Sequence, residues 1–216
     1  MKARRVRASE EDLLSPDSSF WSGGETELVA LSPVPLAMAQ ELSPLMAKRT
    51  DHGAVSSVEV AAVHNGSHLA LRLEWETSTS NAIDDLDRFA DAAAVMFPMH
   101  PEAAAVTMGS EGRPVNAWYW RAGSAGRATC FDVVAEGLGT SVRRDARQTS
   151  LTTRSAYVQG RWHITLVRAL ETGGDAMRFE AGATTGIAFS VWDGANAERA
   201  AHKSASMSFS ELELEA

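Results

Sequence analysis

Hydrophobic and polar residues alternate along much of the chain, as is typical of strands with one buried face. The clearest run is residues 68–76, where leucines and Trp75 alternate with alanine, arginine and glutamate. A second run at 57–64 precedes it, and Asn65-Gly66 lies between the two. Because Asn and Gly tolerate positive φ, this pattern predicts a β-hairpin with a type I′ turn.

Further short strand-like runs continue to the C-terminus, and glycine-containing turns separate most of them. They cover residues 90–98, 115–122, 129–136, 153–159, 161–170, 186–193 and 203–215, with two weaker extended candidates at 25–31 and 34–42. Residues 80–89 suggest either a short helix or an acidic loop. About ten short strands with no long helix and no internal repeat predict an all-β, antiparallel β-sandwich with short helices in the loops.

A length of 216 residues is enough for one sizeable domain. Residues 1–24 contain Ser15, Pro16 and two glycines and are expected to form an irregular lead-in, with the basic residues near the start as a tail. The sandwich domain is then predicted over residues 25–216. No linker or second domain is indicated.

Composition and charge exclude several kinds of function. The net charge of −8 argues against a nucleic-acid partner, because phosphate binding needs clustered Lys and Arg. A single cysteine, Cys130, excludes a disulfide, a cysteine zinc site, covalent c-type haem and an iron–sulfur cluster held by this chain alone. No apolar run reaches the roughly 18 residues of a membrane span, and the N-terminus does not resemble a signal peptide or a twin-arginine leader. No catalytic motif is found.

Several stretches resemble one known family in order and spacing. They are residues 60–75, 89–98, 106–122, 162–170 and 187–206. Together they resemble the haem-binding γ subunit family of ethylbenzene dehydrogenase, to which γ subunits of dimethylsulfide dehydrogenase, selenate reductase, chlorate reductase and steroid C25 dehydrogenase are related. The phrase MGSEGRPVNAWYW (108–120) is closest to the hydrocarbon and steroid hydroxylases of this family.

The resemblance implies a non-covalent haem b between the two sheets, with one methionine and one lysine as axial ligands. By motif these are Met108, in the Met-Gly block before Pro-Val-Asn, and Lys203, after the Trp-Asp-Gly block. An amine binds iron only when deprotonated, and burial lowers the pKa of lysine readily. Trp118 and Trp120 are further candidates for contact with the haem edge.

The resemblance also implies the role of the chain in a complex. It is expected to be a non-catalytic electron-transfer subunit that receives electrons from an iron–sulfur β subunit, beside a molybdenum-cofactor α subunit, and passes them to an acceptor such as a cytochrome c. The complex would hydroxylate an alkylaromatic hydrocarbon or a steroid side chain. The expected location is the periplasm, by co-export with a twin-arginine-bearing α subunit, and the alternative is the cytoplasm.

Other interpretations of these residues stay open at this stage. Methionines are usually core residues and lysines usually solvated, so Met108 and Lys203 depend on the surrounding motifs. The main alternative function is a haem-free carbohydrate- or partner-binding module with exposed Trp118 or Trp120 as a stacking platform. A scaffold subunit that has lost haem is a third. The remaining expectations are a buried Cys130, solvent-facing His64 and His68, a solvated Asp84–Asp87 loop, Asp193 and Asn196 organising the loop before Lys203, and Arg143 or Arg144 at a haem propionate or a partner subunit.

Overall fold

The computed structural model describes residues 1–23, 25–42, 48–83 and 88–216. The strands are β1 (Lys2–Arg5), β2 (Glu27–Ala30), β3 (Ser32–Pro33), β4 (Ser57–His64), β5 (His68–Glu76), β6 (Ala92–Pro98), β7 (Val115–Arg121), β8 (Thr129–Ala135), β9 (Val142–Arg143), β10 (Thr152–Val158), β11 (Arg161–Ala169), β12 (Thr184–Trp192), β13 (Ser204–Ala205) and β14 (Ser210–Leu214). The helices are α1 (Glu10–Leu14), α2 (Ser19–Ser22), α3 (Leu36–Leu42) and α4 (Ala146–Thr149), with a 3-10 turn at Ser124–Gly126. The predicted all-β class is confirmed, and the expected Asp84–Asp87 loop lies outside the described residues.

The strands form one continuous hydrogen-bonded path in the order β10-β11-β5-β4-β1-β14-β12-β6-β7-β8-β9. Strand β12 connects two halves of this path, because residues 184–187 pair with β14 and residues 188–192 pair with β6. We call the strands β10-β11-β5-β4-β1-β14 the first layer. The strands β12-β6-β7-β8-β9, with β13 paired to β12, form the second layer. Pairing is antiparallel apart from β1, which runs parallel to both β4 and β14.

The main core lies between the two layers. Fully buried side chains from both meet there, among them Leu71, Leu73, Trp75 and Ile164 from the first layer and Val95, Phe97, Trp118 and Trp120 from the second. The Trp75 and Trp120 rings lie 5.9 Å apart and the Trp120 and Trp162 rings 5.0 Å apart, both centroid to centroid. Large aromatic rings therefore fill the interior of the sandwich.

The predicted irregular lead-in is wrong, because β1 is an inner strand between β4 and β14. Parallel pairing to strands far along the chain creates this element, and the basic local sequence gave no indication of it. The following α1 begins with a capping box between Ser9 and Asp12. Leu13 and Trp21 then cover the outer face of the first layer. Residues 1–23 thus belong to the sandwich.

The β4–β5 hairpin is confirmed, but its predicted type I′ turn is not. Only Gly66 of the Asn65-Gly66 pair has positive φ, at 87°. The Asn65 side-chain oxygen instead accepts hydrogen bonds from the Ser67 and His68 N–H groups, at 3.0 and 2.8 Å. His64, expected to face solvent, is fully buried, and His68 is partly buried. Asn65 therefore shapes this turn through its side chain rather than through left-handed backbone.

Other segments differ from the sequence-based expectations. Residues 36–42, predicted as extended, form α3, consistent with the helix propensity of Leu, Ala, Met, Gln and Glu. The predicted strand over 203–215 is divided into β13 and β14. The short strands β3 and β9 were not anticipated.

Candidate functional site: an apolar face between Met108 and Lys203

Small and apolar side chains line the face of the second layer that is turned away from the core. We call it the site face. Cross-strand register assigns to it Ala92, Ala94 and Met96 of β6, Ala117 and Tyr119 of β7, Phe131 and Val133 of β8, and Ala188, Ser190 and Trp192 of β12. Ala94 and Met96 keep 9% and 8% exposure, whereas Val95, which faces the core between them, keeps none. Protein atoms therefore do not seal the site face completely.

Met108 lies at this face and has a left-handed backbone conformation, with φ at 58°. Such a conformation is unfavourable for a residue with a side chain and persists only where the surroundings impose it. Here the Met108 N–H donates to the Ala105 carbonyl at 3.1 Å, and its own carbonyl accepts from the Gly137 N–H at 3.0 Å. The partly buried side chain packs against the cluster formed by Met96, Ala105, Val115, Ala117, Ala135 and Ala188. The bend thus places a thioether on the site face.

The next residue, Gly109, is required by close packing of backbone. It has φ of 80°, and a Cβ placed there would lie 2.5 Å from the Arg113 carbonyl oxygen. The Ser110–Arg113 bridge closes the same bend. The glycine beside Met108 therefore has a structural role that fixes the position of the methionine.

Lys203 reaches the site face from its other side. It directly precedes β13, whose Ser204 pairs with Val191 of β12, so Lys203 lies beside Trp192. Its ammonium nitrogen is 4.6 Å from the centroid of the Trp192 ring. Burial lowers the pKa of Lys203 to about 8. Within the described part of the chain no carboxylate lies within 4.0 Å of this nitrogen, so no ion pair offsets the effect of burial.

The loop that carries Lys203 is fixed by a buried carboxylate, that of Glu198. This side chain accepts hydrogen bonds from the backbone N–H groups of Gly53 at 2.6 Å, Ala54 at 2.8 Å and Asp193 at 2.9 Å. The Asn196 amide donates to it at 3.0 Å. Glu198 is 1% exposed, so these donors take the place of water. The sequence had not singled out Glu198, although it lies within the matching block.

Two aspartates fix the beginning of the same loop. As expected, the Asp193 carboxylate accepts from the backbone N–H groups of Ala195 and Asn196. Buried Asp91 accepts from the Gly194 N–H at 2.8 Å and from the Trp162 indole N–H at 2.8 Å. Burial raises the pKa of the Asp91 carboxyl, and these hydrogen bonds offset part of that effect. The loop is thereby attached to the core.

Trp118 and Trp120 do not lie with Met108 and Lys203. Both rings face the main core and are 0% exposed. Tyr119 between them faces the site, where its ring contacts Trp192 edge to face at 5.5 Å. The expected alternation of this trio is confirmed, but the structure gives no contact between the candidate ligands and the two tryptophans. Buried rings also cannot act as an exposed platform for sugars.

The expected haem position between the two sheets does not agree with where the candidate ligands lie. That space is occupied by the aromatic core, whereas Met108 and Lys203 approach the opposite face of the second layer. The signal available in the sequence was a strand of small residues, Ala92-Ala93-Ala94, in which both sets of alternate positions are apolar. Strands with one solvated face rarely show this pattern, so it indicates that a second surface is covered.

The chemistry of the residues present fits a haem held by two protein side chains. A thioether and an amine of lowered pKa are both suitable donors to haem iron, and Met108 and Lys203 both border the site face. The site face extends roughly 13 Å along β6 from Ala92 to Met96, at about 3.3 Å per residue. The side chains along it are mostly small and apolar, as the ring of a haem requires of its surroundings. Among the described residues no group of three His, Cys, Asp or Glu side chains is placed to hold a bare metal ion.

Similarity to known proteins shows the family to which this chain belongs. The sequence matches the family described as ethylbenzene dehydrogenase over residues 18–150 and 132–204. The chain belongs to this family. It is 31% identical to a protein of Haloferax mediterranei named "Putative respiratory nitrate reductase heme subunit ORF7", covering 92% of this chain and 67% of the relative.

Two further relatives are named as γ subunits. Chlorate reductase subunit gamma of Ideonella dechloratans is 30% identical, with 93% of this chain and 80% of that protein covered. Dimethylsulfide dehydrogenase subunit gamma of Rhodovulum sulfidophilum is 28% identical, with 85% and 69% covered. The predicted family is thus confirmed.

Solved structures confirm the sandwich architecture. A family 9 carbohydrate-binding module of Caldicellulosiruptor kristjanssonii superposes with a TM-score of 0.56 in complex with glucose and 0.54 in complex with cellotriose. Identity is only 11% and 12%, with all of this chain and 95% and 94% of those chains covered. This likeness establishes the fold and carries no information about the ligand.

Proposed function

We propose that this chain is a haem b electron-transfer subunit in which Met108 and Lys203 hold the iron. The observation that carries the proposal is the presence of a thioether and a desolvated amine at one apolar face of the second layer. The names of its relatives, as heme and γ subunits, support the same role. When bound, the haem supplies one-electron redox chemistry.

The residues of the chain have separate tasks in this role. Met108 and Lys203 would hold the haem iron, and an iron held by two protein side chains would favour electron transfer over catalysis. Met96, Ala117 and Trp192 exclude water from the ring. Glu198 positions the Lys203 loop, so that the amine is held at the site before the cofactor arrives.

The wider setting is also part of the proposal. We propose that the chain acts in a complex with a molybdenum-cofactor subunit and an iron–sulfur subunit, and passes electrons to a soluble acceptor such as a cytochrome c. Hydroxylation of a hydrocarbon by the complex is proposed from the resemblance of the 108–120 phrase to the hydroxylases. Location in the periplasm is proposed from the resemblance to the γ subunit family as a whole. None of the described helices is long and apolar enough to cross a membrane.

Electron exchange with a soluble acceptor tests this function directly. The full chain would be loaded with haemin, reduced with dithionite, freed of excess reductant and mixed anaerobically with ferric cytochrome c. We expect oxidation of the bound haem in step with reduction of the cytochrome, and slow binding of carbon monoxide because Met108 and Lys203 would both hold the iron. Rapid carbon monoxide binding without electron exchange would contradict the proposal.

A further inference from the structure

Arg143 lies at the end of the site face, on edge strand β9. It pairs directly with Val133 of β8, which pairs in turn with Ala117 of β7. Directly paired residues point to the same side of a sheet, so Arg143 shares the face with Ala117. Two strand spacings, about 10 Å, separate β9 from β7. The opposite edge of the layer is extended by β13 and β3.

The Arg143 side chain turns back over the site face. Its guanidinium carbon lies 3.8 Å from the centroid of the Phe131 ring. Phe131 stacks on Tyr119 at 6.4 Å, and Tyr119 contacts Trp192, the ring beside Lys203. An aromatic row therefore leads from Lys203 to the guanidinium. Stacking of this kind limits the conformations of the arginine and keeps it over the face.

The adjacent Arg144 differs from Arg143 in its burial and in its ion pairs. Arg144 is buried and bonded to Asp132 at 3.1 Å and to Asp175 at 3.2 Å. Arg143 is exposed, and no described carboxylate lies within 4.0 Å of it. Its five N–H donors are therefore available to an external anion.

We propose that Arg143 binds a propionate carboxylate of the haem, so that the propionate edge of the ring points toward β9. This inference rests on the proposed function. Haem has an apolar ring with two carboxylates on one edge, and the apolar floor offers those carboxylates no partner. Burying them unpaired is costly, whereas an arginine at the open edge of the sheet binds a carboxylate through paired hydrogen bonds.

The test compares haemin with its dimethyl ester, in which both propionates are blocked. Each would be titrated into the full chain, Arg143→Gln and the control Arg147→Gln, with tryptophan fluorescence quenching as the readout and circular dichroism to confirm folding. Arg147 is an exposed arginine of the nearby α4. For Arg143→Gln we expect the dissociation constant of haemin to rise roughly 3- to 10-fold and that of the ester to stay unchanged.

The outcomes separate this inference from the function on which it rests. If Arg143→Gln binds haemin as tightly as wild type does, the assignment to Arg143 is overturned while the proposed function stands. An equal loss for haemin and the ester would also overturn it, because the arginine would then act on the ring and not on a carboxylate. Failure of the wild type to bind either porphyrin would overturn both.

Discussion

The Lys203 ammonium nitrogen lies 4.6 Å from the centroid of the Trp192 ring, on the face of the second layer that is turned away from the core. Trp192 belongs to β12 and Lys203 directly precedes β13, so the contact is set by pairing of these strands. The indole stabilises the cation in a place where burial disfavours it. Deprotonation of the same amine would supply the nitrogen ligand.

Backbone strain at Met108 predicts a difference between two variants that both lack the thioether. Glycine adopts φ of 58° without a steric penalty, whereas alanine retains most of the steric penalty that methionine has there. We expect Met108→Gly to exceed Met108→Ala in free energy of unfolding by about 1 kcal/mol, measured by urea denaturation of the haem-free chain. Neither variant should give the low-spin haem spectrum. Equal stability of the two would mean that Met108 is not strained.

Alanines on the two faces of β6 predict opposite effects of the same substitution. Ala93 faces the closed core and is 0% exposed, whereas Ala94 lies on the site face. Leucine at 93 should overpack the core and lower the free energy of unfolding by about 1–3 kcal/mol. Ala94→Leu should change stability less but weaken haem binding roughly tenfold or more, because it fills the space for the ring. Unimpaired haem binding by Ala94→Leu would place the cofactor elsewhere.

Removal of the Glu198 carboxylate should destabilise the chain and weaken haem binding together. Glu198→Ala leaves three backbone N–H groups, those of Gly53, Ala54 and Asp193, without their acceptor. We expect a loss of about 2–4 kcal/mol in free energy of unfolding by urea denaturation. The exposed Glu180 provides the control, since Glu180→Ala should cost less than about 0.5 kcal/mol. Similar losses in the two variants would refute the anchoring role.

Buried His64 predicts a pH dependence of stability. Burial lowers the pKa of His64, Glu215 offsets part of this shift, and the charge of Arg5 adds to it. A histidine in the unfolded chain has a pKa of about 6.5 and therefore binds more protons than His64 in the fold below that pH. Stability should fall as pH falls through about 6.5, by up to about 1.4 kcal/mol per pH unit.

Comparison with His64→Gln isolates this contribution. The variant should lose less stability than wild type between pH 7.5 and pH 5.5 in urea denaturation. His100→Gln, in the loop after β6, should behave as wild type does. A slope that is the same in all three proteins would show that His64 does not titrate in this way.

Much of the fold could be predicted from the sequence, because local alternation carries it. The strands around Leu71 and Ile164 have one clearly apolar face, and the observed register of β5 and β11 pairs these apolar positions. Strand β1 could not be predicted, because its basic sequence becomes a strand only through parallel pairing to β4 and β14. The helix propensity of its residues is consistent with α3, but the flanking prolines led to the prediction of an extended segment there.

The candidate site was predicted only in part, and for a physical reason. The family motifs indicated Met108 and Lys203, but not the surface between them. Side chains such as Ala94 and Ala117 are individually unremarkable small residues, and they form a floor only when the register brings them side by side. The large Trp118 and Trp120 were predicted to contact the haem edge instead, although both pack in the core.

The visible spectrum of the purified full chain, oxidised and dithionite-reduced, together with a pyridine haemochrome assay, tests the central claim most directly. We expect about one haem b per chain and sharp low-spin bands on reduction. These bands should be lost in Lys203→Ala and in Met108→Ala while the fold persists, and kept in Lys48→Ala, which changes an exposed lysine. An unchanged low-spin spectrum in either ligand variant, or no haem in the wild type, would contradict the account.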